Sequence, residues 1–293
     1  MKAFSAKIIL FGEYSILSGS KALAIPFPAF SGKLQAQHAL CDNSLASAQI
    51  IKELFEYLKN QHFEANPNFE KLQHQIAQGL YFESTIPNGY GLGSSGALVA
   101  AVYHHFFKGL EDLSIYQHKA DLAKLESYFH GTSSGIDPLV SFLNAPVLVQ
   151  ETTVETLQLK TSSTYQLILI DTGQKATTQG LVQYYKDLLS SAKQKEAAMQ
   201  LNESTNRCIA GFLQNKLQFD DLKTLSELQQ HLLKPMFVLN KVLLEAVNRF
   251  KDDASLKLCG SGGGGFVSAW VRKSKSPEFI DYLDHHKLTY HRV

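Results

Sequence analysis

Hydrophobic positions along this chain follow two rhythms. Short continuous runs, Ile8-Ile9-Leu10-Phe11 and Leu167-Ile168-Leu169-Ile170, are rich in β-branched residues and stop at Gly12 and at Asp171-Thr172-Gly173. Such runs predict buried strands that end in turns. Helical spacing predicts helices over Leu45 to Asn60 and Leu72 to Leu80. Leu98 to Tyr103 is apolar nearly all round, which predicts a buried helix. Ser114 is placed to cap a helix running to about Phe129, and Gly131 to stop it. Ile136 to Leu143 predicts a short helix entered through Gly135-Ile136-Asp137-Pro138.

The character changes further on. From about residue 175 to 250 the pattern predicts three helices and no strand. Leu256 to Cys259 and Phe266 to Val271 then predict two strands around a glycine run, with a helix near 277–287 and a last strand at 288–293. The expectation is an α+β protein in two parts, 1–164 and 165–293.

Composition narrows the classes. The 293 residues are 44% hydrophobic and 19% charged, as in a globular protein able to bury a sizeable core. A net charge of +1, from 28 basic against 27 acidic residues, with no basic run, argues against nucleic-acid binding. The densest basic stretch, Val271 to Lys275, reads as a solvated turn after a strand. Cys41, Cys208 and Cys259 are far apart and form no CxxC pair, so neither a disulfide framework nor a structural zinc site is expected. A reducing compartment fits that usage. No run approaches the ~18 apolar residues of a membrane helix, and no signal-peptide core follows Lys2. The expected location is the cytoplasm, away from membranes.

Two glycine-rich loops carry the candidate chemistry. The first, Gly91-Leu92-Gly93-Ser94-Ser95-Gly96, feeds the buried helix. Glycines let a backbone approach a ligand closely, and a helix N-terminus offers unpaired N–H groups and partial positive charge to a phosphate. The two serines add hydroxyls for a phosphate oxygen or Mg²⁺. From these residues alone, a phosphate cradle and a plain tight turn both stand. The loop lacks the Gly-Lys pair of a Walker A motif. The second loop, Gly260-Ser261-Gly262-Gly263-Gly264-Gly265, has more glycine than a hairpin needs, which suggests that another backbone passes close by.

Glu126 and Asp137 flank His130-Gly131-Thr132-Ser133-Ser134-Gly135, where they could form a metal and base pair. Asp137 could equally cap the helix at Pro138, and the two roles are compatible. Glu126 alone reads as a surface helical residue, and His130 as a helix-end histidine. Lys7 is either a strand-edge lysine or a cation for a transferring phosphate. The adjacent His104-His105 and His285-His286 pairs cannot both face one way on a helix and are set aside as a metal site.

In order along the chain, Lys7 to Tyr14, Pro87 to Ala97 and Lys257 to Gly265 resemble the three motifs of the GHMP kinase superfamily, and the resemblance spans residues 7 to about 272. Within it, His130 to Asp137, and Ile170-Asp171-Thr172-Gly173 with Thr177-Thr178, are similar to segments of mevalonate kinases. The resemblance implies an N-terminal domain like ribosomal protein S5 domain 2, a ferredoxin-like C-terminal domain, and a site between them. It implies ATP and Mg²⁺, with mevalonate as the acceptor phosphorylated at its 5-hydroxyl. Phosphomevalonate or another small alcohol is the alternative acceptor, and a non-catalytic ligand sensor is the alternative class.

Roles follow from the same resemblance. Asp137 would be the general base, with Lys7 beside it. Ser95 and Glu126 would hold Mg²⁺, and Gly91, Leu92, Gly93, Ser94, Ser95 and Gly96 would cradle the phosphates. Glu13, Tyr14, His130, Thr178, Gly262 and Gly263 would border the substrate. Such enzymes are often homodimers, although no exposed stripe marks an interface. The chain departs from the family at Ser5-Ala6 (usually Pro-Gly), Tyr14 (usually His), Ser133 (usually Pro) and Gly96 (usually Ala).

Overall fold

The computed structural model describes residues 1–37, 42–159, 164–176 and 180–293. In chain order the elements are β1 (Ala3–Phe11), β2 (Lys21–Ala36), α1 (Asp42–Leu58), β3 (Asn66–Pro67), α2 (Phe69–Ala77), β4 (Leu80–Ser84), α3 (Ser94–Phe106), β5 (Phe107–Lys108), α4 (Ile115–His130), α5 (Ile136–Leu143), β6 (Val147–Gln150) and β7 (Thr153–Thr156). There follow β8 (Tyr165–Asp171), α6 (Leu181–Leu188), α7 (Ala192–Leu213), α8 (Phe219–Leu232), α9 (Lys241–Arg249), β9 (Ala254–Leu258), β10 (Phe266–Arg272), α10 (Ser276–His285) and β11 (Tyr290–Arg292).

Besides the short β3-β5 pair, two larger antiparallel sheets organise these elements. The first runs β1-β2-β6-β7, with β4 also paired to β2, and the second runs β11-β8-β10-β9. Helices α3 and α5 pack on β1 and β2. The second sheet is buried on both faces, which explains the all-apolar run at Leu167 to Ile170. Leu167 and Leu169 join a core cluster shared with the first sheet, whereas Ile168 and Ile170 face a cluster with Leu243, Phe250, Phe279 and Leu283. The shared core crosses between the sheets at Phe11 and Trp270, whose rings stack at 5.1 Å.

Local signals explain several element ends. Ser114 and Gln117 form a reciprocal capping box that starts α4, and Gly131 ends it at φ 73°. The helix expected over Leu72 to Leu80 lies earlier, because the Asn68 side chain accepts from Lys71 N and starts α2 there. Gly79 then turns the chain at φ 78°, and Leu80 opens a strand.

One further expectation changes, and one long strand is new. Residues 181–249 hold four helices rather than three, because Ser190 and Ser191 separate α6 from α7. The sixteen-residue β2 gave no strand signal, since Pro26, Pro28 and Gly32 interrupt it. Only Pro28 falls at a bulge, since Ala6 faces Phe27 while Ser5 faces Ser31; Pro26 and Gly32 pair in the ladder opposite Lys7 and Phe4.

Candidate active site

Strand β1 carries Lys7 into the interior, where it is 2% exposed. Its Nζ lies 2.8 Å from Oδ2 of Asp137, whose side chain keeps 30% exposure. Its backbone N–H donates to the carbonyl of Leu92, tying the strand to the first glycine loop. Burial pulls the Lys7 ammonium down, but Asp137, helped by Cys259 and Glu126, more than offsets this and leaves its pKa raised. Lys7 is therefore a permanent cation in the site.

Asp137 does not cap α5. Gly135 holds the cap position in the left-handed region at φ 72°, and Asp137 is the second helical residue. That turn frees its carboxylate for Lys7. Gly96 packs against the same turn: a Cβ there would lie 2.9 Å from Pro138 N and 3.0 Å from the Asp137 carbonyl carbon. The departure from alanine at this position thus has a steric reason.

The first loop reaches α3 through Gly93, which sits at φ 72° and leaves the helix start without a side-chain cap. A Cβ on Gly93 would also meet Lys7 Cγ and Cε at 2.9 Å. Beside it, Ser94 Oγ donates to Asn88 Oδ1 at 2.8 Å. The result is an open set of helix N–H groups next to a buried cation, an arrangement suited to an anion.

Glu126 is 4% exposed, not a surface residue. Ser95 Oγ donates to its Oε1 at 3.4 Å, and the Ser133 hydroxyl donates to its Oε2. Burial first, then the charge of Asp137, pushes its carboxyl up to about 8. His130 Nε2 lies 3.3 Å from Ser95 Oγ, at the exposed mouth of the site. Among the described residues Glu126 forms no ion pair, and no group of three or more His, Cys, Asp or Glu could hold a metal.

The second glycine loop threads between three neighbours. Gly91 and Gly260 touch backbone to backbone, and a Cβ on Gly260 would lie 2.8 Å from Gly91 Cα. Gly262 abuts the carbonyl of Met236, and Gly263 N–H donates to it at 2.7 Å. Gly265 N–H donates to the Gln174 carbonyl at 2.6 Å, while a Cβ on Gly264 would strike it. A side chain at most of these positions would force a neighbour apart. Cys259, which opens the loop, is a free thiol that burial pushes up to about 11, so it is inert.

Glu13 and Tyr14 are buried, each with one polar atom engaged on this loop's side. Glu13 pairs with Lys257, and Tyr14 Oη donates to the Ser261 carbonyl. Burial raises the Glu13 carboxyl despite that lysine, and likewise raises the Tyr14 hydroxyl. Thr178 and Thr177 lie outside the described residues, as does Cys41. Sequence reasoning gave no role to Lys257. Its signal was being the one charged residue of strand β9, three positions before the glycine run.

Residues 49–144 match the GHMP kinases N terminal domain. The chain is 26% identical over 309 residues to a mevalonate kinase of Thermococcus sibiricus, covering 92% of this chain and 89% of that one. It shares its fold with L. major mevalonate kinase in complex with R-mevalonate (TM-score 0.64, 17% identity, 97% and 90% of the two chains). The Streptococcus pneumoniae phosphomevalonate kinase in complex with phosphomevalonate and AMPPNP is similar too (TM-score 0.63, 18% identity, 100% of each chain). Among the described residues no helix is long and apolar enough to cross a membrane. With this domain match over residues 49–144 and relatives aligned over nine-tenths of its length, the chain is similar to small-molecule kinases of the GHMP type.

Proposed function

We propose that this kinase transfers the γ-phosphoryl group of ATP to the 5-hydroxyl of mevalonate. The observation that carries the reading is the half-open Asp137 carboxylate, held 2.8 Å from buried Lys7 beside the uncapped start of α3. Phosphoryl transfer needs positioning and charge neutralisation more than covalent chemistry, and these groups supply both. Asp137 accepts the proton of the attacking hydroxyl. Lys7 stabilises the emerging alkoxide and the transferring phosphoryl. The backbone of Gly91 to Gly96 holds the phosphate oxygens, and His130, Gly262 and Gly263 border the substrates. The names of the curated relatives support mevalonate as the acceptor.

The donor set at Ser95 and Glu126 fits Mg²⁺: one hydroxyl and one buried carboxylate without an ion-pair partner leave room for phosphates and water. When bound, the ion neutralises charge on the β- and γ-phosphates. The proposed domains are 1–164 and 165–293, in a cytoplasmic enzyme. The free thiols of Cys208 and Cys259 agree with a reducing compartment.

Phosphomevalonate is the second reading, favoured by Tyr14 in place of histidine and by the fold shared with the Streptococcus enzyme. ADP release from Mg-ATP, assayed in parallel with mevalonate, phosphomevalonate, homoserine and galactose, separates the two. Release with mevalonate alone is expected. Release only with phosphomevalonate moves the acceptor while keeping the mechanism.

A further inference from the structure

The turn after β1 and the strand before the second glycine loop are joined by an ion pair that the transfer chemistry does not use. Lys257 Nζ lies 2.5 Å from Glu13 Oε1 and 2.8 Å from the Leu258 carbonyl, and both side chains are almost sealed. A buried ion pair is a weak source of stability, because desolvation of both charges cancels most of their attraction. Moreover, Glu13 Oε2 is buried without a partner, so the pair is not optimised as a polar core would be.

Its placement gives a better account. Glu13 follows the strand that carries Lys7, with only Gly12 between that strand and Glu13. Lys257 lies just before Cys259 and Gly260, where the second loop touches the first at Gly91. A second tie runs alongside: Tyr14 Oη donates to the Ser261 carbonyl at 2.6 Å. Tyr14 holds φ 60°, a left-handed conformation unfavourable for a bulky side chain. Such a backbone persists only where its surroundings over-determine it. Both ties run from the turn after the Lys7 strand, one to the second glycine loop and the other to the strand that leads into it.

We propose that Glu13 and Lys257 form a clasp that sets the second glycine loop in register with Lys7, Asp137 and the start of α3, making both of them positioning residues for phosphoryl transfer. The proposal rests on the kinase reading only for its activity readout.

The test separates positioning from stability. Lys257→Met leaves Glu13 buried without its cation and should lower Tm. The full-length double variant Glu13→Gln/Lys257→Met removes both charges and should bring Tm back near wild type. In that variant, amide exchange in peptides covering residues 257–266 is expected to quicken about tenfold. Its kcat is expected to fall about 100-fold, with KM for Mg-ATP changing less. Wild-type exchange or wild-type kcat in the double variant overturns the clasp. Should the double variant not fold, Glu13→Asp keeps the charge and shortens its reach, and the same two readouts decide. If the wild-type chain phosphorylates no acceptor, the kinase reading fails by itself, and loop exchange still decides the clasp.

Discussion

Two buried lysines, each paired with a carboxylate, stand at the two ends of one structural line. Lys7 and Lys257 are each 3% exposed at the side chain, but their partners differ: Asp137 keeps 30% exposure and Glu13 keeps 1%. The open pair can meet a ligand, and the sealed one cannot without the surrounding elements moving apart. Both carry opposite charges at close range, so charge alone does not separate chemistry from architecture. Access of the carboxylate does. Asp137 owes that access to Gly135, which takes the cap position and turns the aspartate toward Lys7.

The comparison is broken most severely at the open pair. Asp137→Asn keeps the shape but loses the proton acceptor, so kcat should fall by about 10³-fold while Mg-ATP binding, measured by calorimetry, stays near wild type. Retained turnover would remove Asp137 as base. Lys7→Met should lower kcat about 100-fold, more than it weakens nucleotide binding.

A smaller effect should appear at Gly96. An added Cβ would press on the Asp137-Pro138 backbone, where little can yield. Gly96→Ala gains helix propensity of about 1 kcal/mol yet displaces the base, so kcat should drop about tenfold with Tm little changed. Unchanged kcat would show that the α5 turn tolerates the family's usual alanine.

The mildest effect is one of pH. The Glu126 carboxyl, raised to about 8, stays protonated in the folded protein well above its ordinary range. In the proposed Mg²⁺ site the ion would displace that proton, so its apparent affinity should climb as pH rises toward 8. In the metal-free protein the same shift contributes stability that is fully present below the unfolded value near 4.5 and is lost as pH rises through about 8. Glu126→Gln should flatten both profiles, as followed by Mg²⁺ titration and thermal melts.

What the sequence made legible follows the range of the forces involved. The capped helix α4 and the strand runs were readable because their signals are local: Ser114, Gly131 and consecutive apolar residues. The glycine loops were readable as places of close approach, but not what approaches them. Gly260 needs Gly91, and Gly262 needs Met236, across long stretches of chain. Strand β2 was hidden because its prolines speak locally against a strand, whereas pairing with β1 keeps Pro26 in the ladder and leaves Pro28 at a bulge. Glu126 looked like a surface residue, since nothing near it in sequence shows that α3 and the Ser133 turn cover it. Lys257 was passed over for the same reason, as its partner Glu13 lies at the other end of the chain.

The central claim is that an open carboxylate beside a buried lysine moves a phosphoryl group onto the mevalonate 5-hydroxyl. Phosphorus NMR of wild-type protein with Mg-ATP and mevalonate tests it most directly. The account predicts a new phosphomonoester signal growing one for one with ADP, and none in Asp137→Asn. ATP that persists beside mevalonate, or an equal signal from the asparagine variant, would contradict it.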